Sequence, residues 1–133
     1  MRTLAVLLVI GALTGCTAID AFLMKYDVNE YYQISDIRTT ASLAKSTCDN
    51  AQESKNQSVV ISNKTLTFKN YVQYLPHNDK VIAASSDLDK IAQGLKDQYV
   101  KSDKVSPAFC KIKFQSIETS AESMQKVIGD KPR

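Results

Sequence analysis

From Asp27 onward the chain alternates polar residues with apolar or small ones at the spacing of a helix stripe. Tyr31, Ile34, Ile37, Ala41, Ala44, Cys48 and Ala51 follow at intervals of 3, 3, 4, 3, 4 and 3, which puts all seven on one helical face. Asp27 can cap the first amides, and Glu30 can reach back to the cap's own N–H in a variant of the capping box. A second stripe runs from Cys110 through Phe114, Ile117, Ala121, Met124 and Ile128. Ser106 offers a cap before it, Pro107 fills the first helical position, and Gly129 can cap the end. A third helix is predicted over Asp79 to Lys101, with Val81, Leu88, Ile91, Leu95 and Tyr99 inward, Gly94 weakening it slightly, and Pro76 closing what precedes it.

The segment from about Ser58 to Leu75 is two-sided. Val59, Val60, Ile61, Thr65 and Thr67 favour strand, and Asn63-Lys64 could turn a hairpin over residues 58–68. A lone hairpin beside helices is only marginally stable, however, and Phe68, Val72 and Leu75 keep helical spacing. With 4 Gly and 3 Pro in 133 residues, breakers are scarce, so the expectation is helix. The predicted class is therefore all-α: a small antiparallel bundle of about four helices, up-down-up-down. In that topology the late part of helix one meets the start of helix four, which brings Cys48 and Cys110 to one level of the core.

Ahead of the bundle, Arg2 precedes ten apolar or small residues from Leu4 to Leu13, the layout of a secretory signal. The run is about half of the ~20 residues that cross a bilayer. It ends in Leu13-Thr14-Gly15-Cys16, which resembles the lipobox of bacterial lipoproteins. That resemblance implies cleavage before Cys16, a diacylglycerol on its thiol, and export. Thr17 is not the aspartate that resembles an inner-membrane retention signal, so outer-membrane attachment facing the periplasm is the expected location. The expected organisation is a signal peptide at 1–15, a lipidated tether at 16–26 and the bundle at 27–133. Two cysteines then remain in an oxidising compartment, and Cys48 and Cys110 are expected to form one disulfide that staples the bundle, with two buried free thiols as the alternative.

Removing residues 1–15 takes away one charge, Arg2, and leaves 16 basic against 14 acidic side chains, an excess of 2. So small an excess, with export, argues against nucleic acid as a partner. The sole histidine, His77, lies beside Pro76 in a predicted turn, and no cysteine, histidine or carboxylate spacing suggests a metal set. No cofactor and no enzymatic activity are expected.

Two surface features stand out. Ile19, Phe22, Leu23 and Tyr26 sit at i, i+3, i+4 and i+7, a short amphipathic stripe that can contact lipid or extend helix one onto the bundle. Lys101, Lys104, Lys111 and Lys113, with Lys96 nearby, make a lysine-rich corner that could meet an acidic partner or stand as a solvated face. The expected function is a non-enzymatic, lipid-anchored module that binds another envelope protein: an inhibitor, immunity or exclusion factor, chaperone or pilotin. Its layout is similar to that of pilotins, small helical lipoproteins with a disulfide, without any matching motif. The alternative is a membrane-active lipoprotein that perturbs the envelope through residues 17–26.

Overall fold

The computed structural model describes residues 24–102 and 104–133. Cys16, Ile19, Phe22 and Leu23, with the signal peptide and most of the tether, lie outside the described residues. Four helices follow in order: α1 (Val28–Ala44), α2 (Ala51–Val72), α3 (Asp79–Lys101) and α4 (Pro107–Gly129), with one turn of 3-10 helix, Lys45–Thr47, after α1. Among the described residues there is no strand, and no helix is long and apolar enough to cross a membrane.

Each helix buries the same kind of stripe. On α1 it is Glu30, Ile34, Ile37, Ala41 and Ala44, continued by Cys48; on α4 it is Cys110, Phe114, Ile117, Ala121, Met124 and Ile128. The stripe of α2 contains Ser54, Ser58, Ile61, Thr65, Phe68 and Val72, and that of α3 contains Val81, Ser85, Leu88, Ala92, Leu95 and Tyr99. Alternating steps of four and three average 3.5 residues, which keeps each seam facing its neighbours along the helix. α1 packs mainly on α4, and α2 mainly on α3, with lesser contacts from α1 to α2 and from α3 to α4.

The cysteines meet as the topology requires. Cys48 and Cys110 form a disulfide with their Cα atoms 5.7 Å apart. Beside it the Tyr99 hydroxyl donates to Ser54 Oγ at 2.8 Å, so α1, α4, α2 and α3 are tied pairwise at this end of the core.

Several boundaries and roles differ from the sequence expectation. The first helix stops at Ala44, seven residues short of Ala51, because Ser46 and Thr47 turn their hydroxyls back onto the carbonyls of Leu43 and Ala44, each at 2.8 Å. Asn50 then caps a new helix by accepting from the amides of Gln52 and Glu53, both at 3.1 Å. Ala51 is accordingly an exposed first residue of α2. Residues 58–68 are uninterrupted helix within α2, with Val59 and Val60 outward and Ile61 buried, and the hairpin alternative does not occur. Asp27 does cap α1, accepting from the Glu30 amide at 2.7 Å, but the Glu30 carboxylate is turned into the core instead of back to the cap. Gly129 is the last residue of α4 and has no positive φ. Its role is close packing, since a Cβ there would stand 3.3 Å from the Tyr31 ring.

Candidate interaction surfaces

The two ends of the bundle are built differently. At the end where α1 starts and α4 finishes, Glu30, Asn78 and Lys131 form a closed buried ring. The Lys131 ammonium donates to Glu30 Oε2 at 2.6 Å and to Asn78 Oδ1 at 2.7 Å, while the Asn78 amide donates to Glu30 Oε1 at 2.7 Å. The side chains of Lys131 and Glu30 are 2% and 0% exposed, so this pair exists only because each charge meets the other and the amide fills the remaining positions. The ring joins the start of α1, the α2–α3 turn and the chain after α4. Turns at Asp130 and Lys131, whose amides donate to the carbonyls of Lys126 and Ile128, swing the lysine inward.

Around this ring the chain entering α1 is fastened to the chain leaving α4. The Tyr26 amide donates to the Pro132 carbonyl at 2.9 Å, the Tyr26 ring stands 5.9 Å from that of Tyr31, and the Arg133 guanidinium lies over it at 5.1 Å. Residues 24–27 are not helical, so Tyr26 is half-buried against the bundle outside α1. The Tyr71 hydroxyl donates to the Asp27 carboxylate at 2.9 Å. Burial pushes the Tyr71 phenol above its ordinary value; a hydrogen bond with Asn29 opposes this, and the charges of Asp27 and Glu30 add to it. His77, exposed in the same turn as Asn78, has φ 56°.

Midway along α2 and α3 a second buried carboxylate is fully engaged. Asp89 accepts from Lys69 at 2.9 Å and from Thr65 and Gln93 at 3.2 Å each. Burial alone would raise its pKa, but these donors and the Lys69 charge hold it below the ordinary carboxylate range. A second lowered carboxyl, Glu118, faces Lys45, whose hydrogen bond outweighs the opposing desolvation.

The other end carries the lysines, and Lys111 and Lys113 have neighbours of their own there. Lys101 and Lys104 are exposed about the α3–α4 turn, where the Lys104 amide donates to Ser102 Oγ at 3.1 Å. Lys111 pairs with Asp49 at 3.2 Å, and Lys113 lies 5.4 Å from the centre of the Phe109 ring. Two residues apart on α4, Lys111 and Lys113 point to different sides. Beside Lys111 an open groove of about 880 Å³ runs between α4 and the turn after α1, lined by Lys45, Ser46, Ile112, Gln115 and Thr119 among others. Ile112 is 64% exposed there.

Sequence reasoning did not find the Glu30–Asn78–Lys131 ring or the Asp89 cluster. The signal was present: Glu30 lies four residues before Ile34, Asn78 three before Val81 and Lys131 three after Ile128, each in phase with its stripe. Among the described residues no group of three histidine, cysteine, aspartate or glutamate side chains stands together as a metal set. No family model, no curated protein and no solved structure matches the chain.

Proposed function

We propose that the chain is an exported lipoprotein, held through an acylated Cys16 to the outer membrane, whose bundle binds another protein of the periplasm without performing catalysis. The observation that carries this reading is the Cys48–Cys110 disulfide. A bond between thiols 62 residues apart persists in an oxidising compartment, which is where the Arg2 to Cys16 leader would deliver the chain. The non-catalytic part rests on the buried carboxylates. Glu30 and Asp89 are both buried and engaged by donors of the chain itself.

The partner-binding part rests on the groove beside α4, at the end remote from the start of α1. It combines an exposed isoleucine with cations and hydroxyls, an apolar contact rimmed by polar groups of the kind that anchors a protein interface. A photo-crosslinking residue at Ile112 in the lipidated chain should give one discrete adduct in envelopes, lost when Lys111 is reversed to glutamate. A residue at Val59, on the opposite helix pair, should give none. Equal adducts from both positions would refute the assignment of this face.

A further inference from the structure

We infer that the end of the bundle bearing the Glu30–Asn78–Lys131 ring lies on the lipid surface itself, with Tyr32 and Tyr74 at headgroup level. The inference rests on the proposed acylation of Cys16. The described chain begins at Met24, eight residues after Cys16, and eight residues span at most about 29 Å even when fully extended. Residues 24–27 are themselves fastened to this end through Pro132 and Arg133, which fixes where the tether leaves the bundle. A lipid-bound Cys16 therefore holds this end near the bilayer, whichever way the remaining residues run.

The side chains exposed there suit an interface. Tyr74 is 86% exposed, Tyr32 75% and Val28 63%. Val28 and Tyr32 are neighbours one turn apart at the start of α1, and helical side chains lean toward the N-terminus, which is toward this end. Tyrosine prefers the boundary between hydrocarbon and water, where its ring is desolvated and its hydroxyl remains wet. Charge does not decide the matter: Lys25, Lys80 and Arg133 are offset at this end by Asp27, Asp79 and Asp130. The contact is one of aromatic rings held close by a tether.

The chain contains no tryptophan, so a single one reports its own position. Tyr74→Trp, Tyr32→Trp and, at the opposite end of α3, Val100→Trp would each be introduced into the full lipidated chain. The proteins would be reconstituted in phosphatidylethanolamine–phosphatidylglycerol vesicles containing a phosphatidylcholine with brominated acyl chains. All three positions are exposed, so the fold tolerates the change. The expected result is flotation with the vesicles, and quenching of Tyr74→Trp and Tyr32→Trp at least about twofold stronger than of Val100→Trp, as headgroup-level rings require. Flotation with equal quenching at all three positions would overturn the surface contact and leave the anchor standing. Failure of the full chain to float would overturn both.

Discussion

Replacing Lys131 by methionine keeps the length and removes the charge, and it tests how the bundle closes its core at the α1 start. Glu30 would then be a carboxylate with 0% exposure that keeps the Asn78 amide as donor but has lost its countercharge. Removing one partner of a buried ion pair costs about 3–5 kcal/mol, because the other charge stays desolvated. Against a typical domain stability of about 5–15 kcal/mol, that is a large fraction. At roughly 4 °C per kcal/mol for a domain of this size, thermal unfolding should fall by about 12–20 °C. Glu30→Met with Lys131→Met removes both charges and leaves the Asn78 amide and carbonyl without their partners, a cost of about 1–3 kcal/mol. The double variant should therefore be more stable than Lys131→Met alone. Circular-dichroism melts of the four members of this cycle decide it. A loss below about 1 kcal/mol for Lys131→Met, or a double variant destabilised by the sum of the two singles, would refute the reasoning.

Three further outcomes are expected. Gly94 sits exposed in the middle of α3 with no atom within 4 Å of an added Cβ, so Gly94→Ala should stabilise by about 0.5–1 kcal/mol in urea titrations, whereas Gly129→Ala, 3.3 Å from the Tyr31 ring, should gain less or lose. Because Asp89 is held below its unfolded pKa of about 3.9, its contribution is complete above that value and is lost as pH falls through the lower folded value. The stability of wild type should thus drop more steeply below about pH 4 than that of Asp89→Asn, by up to about 1.4 kcal/mol per pH unit. Reducing the disulfide, or Cys48→Ser, opens a loop closed across 62 residues and should cost about 4 kcal/mol in the chain-entropy model, read as a lower denaturation midpoint and a slower band in non-reducing electrophoresis.

How legible each helix was in the sequence follows from what fills its stripe. α4 and α1 bury Phe114, Ile117, Ile128, Ile34 and Ile37, and their periodicity is plain. Four of the seven buried residues of α2 carry hydroxyls, Ser54, Ser58, Ser62 and Thr65 beside Ile61, Phe68 and Val72, so apolar spacing alone leaves it ambiguous with a strand. These small residues satisfy themselves locally: Ser54 and Ser58 donate to carbonyls three residues back, and Thr65 donates to Ser62 as well as Asp89. Polar residues at core positions are hidden for the same reason. Glu30 reads as a capping residue and Lys131 carries no mark of its own, because their burial depends on each other across 101 positions. The disulfide was legible because topology alone put late helix one beside early helix four. Within the lysine-rich corner, Lys111 pairs with Asp49 and Lys113 lies against Phe109, neighbours that spacing along the chain did not bring out.

The proposed lipoprotein reading stands on Cys16 and on the likeness of Leu13-Thr14-Gly15-Cys16 to a lipobox, by which the oxidised bundle would be joined to a membrane. Mass spectrometry of the protein extracted from envelopes tests it most directly. The N-terminal peptide is expected to begin at Cys16 and to carry the added mass of a diacylglycerol thioether. A mature chain that retains Met1, or that carries Cys16 as an unmodified thiol, would contradict the account.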